Sequence, residues 1–385
     1  MKQKKKPEIT SKETGQIKNE VKTATAQPAE KSARKPYLDN LRWAIVLIVL
    51  IYHVCFMFNG VGVAGGIPDA RNVPALDAFQ YIVYPWFMVL LFVVSGMSAR
   101  YSLQKRTGRQ FIRERALKLL VPSTLGLFVI HWITGYLNIK MGGGLDYIPG
   151  ALVYPISAIS GIGPLWFIQM LFLFSCLLLL LKTLDKKDRV WKLGGRIPIA
   201  AVLLLFFVMW GAAQILNMPV LTMYRFGIYL AAFLIGYYIF SHDEVQDAIE
   251  KIRIPMIVIA AAGAIAYTAY YYGQSFSDAK CLQSLAANLY LWAAVLALLG
   301  CARKYFNFEN PLTKYMSKSS FSIYILHYPV LTLVCYALTY HLSLAAGWNY
   351  LIALAAELAA SFVLYEIIRR VPVLRFLILG MKKKS

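Results

Sequence analysis

The sequence predicts an all-α membrane protein: a polytopic bundle of about ten transmembrane helices with both termini in the cytoplasm. Three observations predict it. Of the 385 residues, 59% are hydrophobic and only 15% are charged, where water-soluble domains carry about 25% charge. Apolar segments of about 17 to 22 residues recur along the chain, each long enough to cross roughly 30 Å of hydrocarbon as a helix. Lys and Arg collect in alternate loops between those segments, the asymmetry that marks the cytoplasmic side.

Taken in order, residues 1–35 are rich in Lys, Glu, Thr, Ala and Gln and carry no periodic apolar pattern, so they read as a disordered basic cytoplasmic tail. They hold no apolar h-region, so no signal peptide is expected. The apolar spans follow at residues 38–59, 78–99, 119–138, 164–183, 197–216, 221–240, 255–273, 280–301, 319–340 and 347–369, within a transmembrane domain of residues 36–380. Residues 381–385 close the chain as a short basic tail.

The loop after the second span holds Arg100, Lys105, Arg106, Arg109, Arg113, Arg115 and Lys118. The loop after the fourth holds Lys182, Lys186, Lys187, Arg189, Lys192 and Arg196, and the C-terminal segment holds Arg369, Arg370, Arg375 and Lys382. The opposite loops have only the isolated Arg71, Lys140 and Lys280. The net charge of +21 is thus divided between a tail and alternate loops. That is a pattern of topology and anionic lipid, not the single basic face of a nucleic-acid binder.

Two outer loops, residues 60–77 and 139–163, are rich in Gly and Pro, which argues against long helices there. They are long enough to cover an outward-facing cavity. The five cysteines show no CxxC spacing and no nearby His pair, so neither a disulfide framework nor a metal site is expected.

Ionisable groups inside hydrocarbon are costly, which makes them functional candidates. Arg42 and His53 lie in the first span, eleven residues apart. At 100° per residue they share a helix face to within about 20° and are separated by roughly 16 Å along the axis. Arg42 then sits near the cytoplasmic headgroups and His53 near the midplane. The pair suits a reaction in which a guanidinium grips the phosphates of a cytoplasmic donor and an imidazole takes a proton from a hydroxyl. The plainer alternative is an interfacial anchor and a core histidine bonded to a carbonyl.

His327 lies in the ninth span, two residues before Pro329. It reads either as a substrate-binding imidazole at a kink or as a partner for a carbonyl that the proline frees. Glu357, near the middle of the tenth span, needs neutralising or pairing. Orienting His53, pairing with Arg225 and contacting substrate are its open roles. Glu366 reads as a partner of Arg369 or Arg370. Arg113, Arg115 and Lys118, where the chain re-enters the membrane, either receive donor phosphates or simply mark the cytoplasmic side. Ser95 invites a nucleophile reading, but Ser95 and Gly96 more simply permit close helix packing. His131 and Gln169 read as helix–helix hydrogen-bond partners.

Several stretches resemble one known family. Arg42, ten residues and His53 stand within YLDNLRWAIVLIVLIYHV, and LFVVSG, RALKLLVP, PLWFI, SSFSIYILHYPV and YEIIRRVPVLRFLI follow in the family's order. On these landmarks, over about residues 36 to 380, the chain resembles the membrane acyltransferase family 3. One departure is Lys118 where an Arg is commoner, which keeps the charge but not the bidentate geometry. The resemblance implies a ten-helix enzyme of the bacterial plasma membrane. It would pass an acyl group, acetyl or succinyl, from cytoplasmic acyl-CoA to a hydroxyl of an envelope carbohydrate or glycolipid acceptor. It further implies Arg42 and the Arg113, Arg115, Lys118 group on the CoA side, His53 for proton abstraction, and no metal. The rival from another class is a proton-coupled transporter that uses Arg42, His53, His327 and Glu357 as a path. The repeated halves common in transporters are not seen.

Overall fold

The computed structural model describes residues 35–382 apart from residues 64, 219 and 220. The expectations for residues 1–34 and 383–385 lie outside the described residues.

Helix α1, Pro36–Met57, starts on a proline suited to a first turn, has Asp39 beside it, and is about 33 Å long at 1.5 Å per residue. Helix α2, Pro74–Leu103, is interrupted at residues 84–86, where Pro85 has no N–H to donate. Helix α3, Gly108–Met141, opens with a capping box between Thr107 and Gln110. It contains a π turn, Ala116–Leu120, in which the Val121 amide reaches back to the Ala116 carbonyl just ahead of Pro122. Helix α4 (Gly150–Ser160) follows, then α5 (Trp166–Leu184), α6 (Ile199–Ala213) and α7 (Phe226–Tyr238). The remainder are α8 (Asp243–Lys251), α9 (Arg253–Tyr271), α10 (Leu285–Tyr305), α11 (Pro311–His341), α12 (Ala346–Ile368) and α13 (Pro372–Leu379).

Among the described residues there are no strands, and eight helical stretches are long and apolar enough to cross a membrane. The chain is an all-α polytopic membrane bundle. The fifth and sixth apolar spans are occupied by α6 and α7, which are only 15 and 13 residues long. Helix α7 starts later than hydropathy suggests because Asn217 bridges to Arg225 and the Phe226 amide donates to the Leu216 carbonyl. Residues 221–224, read as helix from their apolarity, instead belong to a turn. In the outer stretch 139–163, where Gly and Pro argued against a long helix, the 11-residue α4 forms.

Packing is close between α2 and α7. A Cβ at Gly96 would come 2.0 Å from the Phe233 carbonyl oxygen, and one at Gly236 would come 2.1 Å from that of Val93. Backbone therefore meets backbone, the usual benefit of small residues at membrane helix contacts. Helices α2, α10 and α11 are mostly buried, whereas α9 and α12 expose most of their apolar surface, as lipid-facing helices do. At the C-terminal end of α2, buried Arg100 pairs with Asp188 at 3.2 Å and stacks over Trp191 at 3.9 Å. On that same side Arg303 reaches Asp243, Asp247 and Glu250, tying α10 to α8.

Candidate active site

Helix α1 carries Arg42 and His53 along one unbroken stretch. His53 lines a cavity of about 420 Å³. Ser160, Gly163, residues 221–224 and Ser277 also line it. These come from loops on the side that the charge asymmetry assigns to the outside, so the cavity lies toward that face. Most of the remaining wall is aromatic: Tyr52, Tyr84, Phe87, Trp166, Tyr229, Tyr324 and Tyr328. The break at Pro85 places Tyr84 and Phe87 in that wall. Gly163, at φ 42°, closes the outer loop onto Tyr328, whose ring would lie 2.7 Å from any Cβ there. Asp77 fixes the other outer loop by accepting from the Asn72 amide at 2.8 Å and from the Gly60 backbone at 3.3 Å.

Behind His53 stands His327, fully buried on α11. Its Nδ1 is 2.6 Å from the Tyr324 carbonyl oxygen, and its Nε2 is 3.2 Å from His53 Nδ1. A carbonyl only accepts, so in the neutral pair His327 carries its proton on Nδ1 and offers Nε2 as an acceptor. His53 then donates through Nδ1 and keeps a lone pair on Nε2. These two contacts favour the tautomer that a general base needs, and the Val49 carbonyl one turn back also lies within hydrogen-bonding reach of the His53 ring. The carbonyl His327 engages belongs to Tyr324, not to Ile325, whose bond to residue 329 the proline deletes.

At the N-terminal end of α1, Arg42 donates to Asp39 at 2.9 Å and to the Ser98 hydroxyl at 2.6 Å. Arg115 and Lys118 lie within electrostatic range of Arg42, together with Arg106 and the opposing charge of Glu114. Arg115 also sits over the Phe111 ring, 5.0 Å from its centroid. Arg113 and Lys118 are both exposed. Two residues along a helix turn it by about 200°, so Arg113 and Arg115 face opposite ways.

Neither His327 nor Glu357 lines the cavity. His327 is held behind His53 by the hydrogen bonds just described. Glu357 is fully buried on α12 and neither of its oxygens has a hydrogen-bond partner among the described residues. It acts electrostatically on Tyr328 and Cys335. It does not pair with Arg225, which donates to the Leu282 carbonyl at 3.2 Å. Glu366 does pair with Arg369, its Oε2 lying 2.7 Å from the guanidinium Nε. Gln169 links α5 to α3 through the Ser123 carbonyl at 3.0 Å, and His131, fully buried, lies against the backbone of Ile325 on α11 and of Gly161. The aromatic wall was missed in the sequence because Tyr, Phe and Trp inside apolar spans read only as membrane-compatible.

A family model described as an acyltransferase domain, the third such family, matches residues 35–366. The chain belongs to acyltransferase family 3. It is an O-acyltransferase with a membrane-spanning fold. It is similar to proteins called glucans biosynthesis protein C. Those of Escherichia coli strain K12 and Shigella boydii serotype 4 are each 21% identical over 372 residues, covering 90% of this chain and 94% of theirs. That of Escherichia coli O139:H28 is 21% identical over 374 residues with the same coverage. No solved structure matches the chain.

For an acyl transfer the arrangement offers an imidazole, His53, bordering the cavity. It also supplies a cationic group at the opposite end of the same helix. Ser95 has no hydrogen bond to a base, and its neighbour Gly96 makes the close helix contact instead.

Proposed function

We propose that this protein transfers an acyl group, acetyl or succinyl, from cytoplasmic acyl-CoA to a hydroxyl of an envelope carbohydrate or glycolipid acceptor, acting in the bacterial plasma membrane. The observation that carries the reading is His53. It borders the outward cavity with Nε2 unprotonated and shares a helix face with Arg42 at the cytoplasmic end. Arg42, Arg115 and Lys118 bind the phosphates of CoA, while exposed Arg113 adds charge to the approach. The thioester is presented near His53. Nε2 takes the proton of the acceptor hydroxyl as its oxygen attacks the thioester carbonyl. The carbon–sulfur bond then breaks and the proton passes to the departing CoA thiolate. No acyl-enzyme is required. The aromatic wall suits a sugar ring, with an apolar face on the rings and few polar groups to orient it. The glucan in the relatives' names supports a carbohydrate acceptor.

Acyl-CoA binding to the full chain in nanodiscs tests the donor half. Wild type and His53→Ala are expected to bind acetyl-CoA or succinyl-CoA alike. Arg42→Ala, having lost a charged contact, is expected to bind about tenfold or more weakly. A wild type that binds neither thioester refutes the reading.

A further inference from the structure

The cavity has a rim that the mechanism above does not use. Among the side chains that line it, Ile159 is 60% exposed and Leu221 is 46% exposed, so both belong to the wall and to the outer surface of the bundle. The two sides of this opening are neighbours. Tyr224, in the turn that holds Leu221, has its ring 6.0 Å from that of Trp166, where α5 begins shortly after α4 ends. Two close contacts fix the depth of the opening. A Cβ at Gly135 would come 1.8 Å from the Ser157 carbonyl oxygen, and one at Gly161 would come 2.0 Å from that of His131. Helix α4 therefore runs back antiparallel along the outer part of α3, backbone against backbone. In that register Ile159 stands about eight residues before the end of α3 at Met141, roughly 12 Å down the helix axis.

Half of the hydrocarbon core is about 15 Å thick, so an opening at that depth faces lipid chains rather than water. Its surroundings agree. Leu152, Tyr154 and Ile156 on α4 are exposed, as are Leu216 and Met218 ahead of the turn. Residues 147–181 and 197–224 contain no Lys, Arg, His, Asp or Glu. A free glycan would meet an apolar rim where its hydroxyls need partners. A saccharide on a long apolar chain can set its sugar against the aromatic wall and leave the chain among lipid tails. We propose that the gap between α4 and the turn at residues 221–224 is a lateral portal to the outer leaflet, and that the acceptor is a saccharide carried on a lipid chain, which enters sideways. The proposal rests on the reading of this cavity as the acceptor site. Backbone contacts hold both posts of the portal: α4 through the two glycine contacts, and the turn through the Met218 amide, which donates to the Tyr224 carbonyl at 3.1 Å.

The test uses the full chain in phosphatidylcholine nanodiscs and a glucosyl diacylglycerol that carries a diazirine near the start of one acyl chain. On irradiation the probe is expected to label residues 159–160 and 221–222. Unmodified glucosyl diacylglycerol is expected to suppress that labelling, and diacylglycerol without the sugar to leave it in place. Acyl transfer to glucosyl diacylglycerol and to a free glucose oligomer is read in parallel. Ile159→Trp and, separately, Leu221→Trp crowd the gap from its exposed sides. Each is expected to lower transfer to the glycolipid about tenfold or more relative to transfer to the oligomer. Labelling that the sugar-free lipid suppresses equally well, or an equal effect of both variants on both acceptors, overturns the portal. Transfer to the oligomer without sugar-specific labelling also overturns it and leaves the proposed function standing. Sugar-specific labelling without acyl transfer to either acceptor supports the portal and counts against the proposed function alone.

Discussion

His327→Leu removes the acceptor 3.2 Å from His53 Nδ1 while keeping a buried apolar side chain on α11. The ring of His53 then loses the contact that selects its tautomer, and a buried N–H is left to find another partner. An unsatisfied buried donor costs about 1–3 kcal/mol. At 1.4 kcal/mol per factor of ten, that is about a 5- to 140-fold loss. The loss falls on kcat because it concerns the reactive geometry. It is smaller than removal of the base itself, worth about 10²–10⁴-fold. The KM for acyl-CoA is expected to stay put, since Arg42 lies roughly 16 Å down the helix. His327→Gln, whose amide oxygen can accept from His53, is expected to recover part of kcat. The assay is steady-state acyl transfer by protein in nanodiscs, with donor and acceptor varied separately. An unchanged kcat in His327→Leu refutes the positioning role. A raised acceptor KM at full kcat would instead make His327 a substrate contact.

Two further substitutions test the architecture around the site. Gly163→Ala puts a Cβ 2.7 Å from the Tyr328 ring at a φ of 42°. It is expected to cost about 1–3 kcal/mol in strain and overlap, read as a raised acceptor KM with normal acyl-CoA binding. Gly236→Ala forces a methyl to within 2.1 Å of the Val93 carbonyl. It is expected to separate α2 from α7 and destabilise the bundle by about 1–3 kcal/mol, seen as a lower melting temperature in detergent. A melting temperature equal to wild type would show that this contact has slack.

Much of this was legible in the sequence, for physical reasons. Hydrocarbon thickness fixes helix length, so the long apolar helices could be located from hydropathy, eight of them among the described residues being long enough to span. The shared face of Arg42 and His53 follows from helical arithmetic within one segment. What stayed hidden depends on contacts between segments. His327 is 274 positions from His53, and no pattern within either span shows that α1 and α11 bring the two rings together. The turn at residues 221–224 is as apolar as a helix, so only its hydrogen bonding distinguishes it. Arg100 read as one more cytoplasmic charge, yet it is buried against Asp188 and Trp191. Glu357 looked like a candidate for pairing and proved to face no cation, while Arg225 faces no acid.

The most direct test of the account is single-turnover acyl transfer by His53→Ala, with acyl-CoA prebound at saturating concentration and acceptor added. Donor binding equal to wild type, with transfer slowed about 10²-fold or more, is the predicted result. Transfer at the wild-type rate would contradict the assignment of His53 as the base.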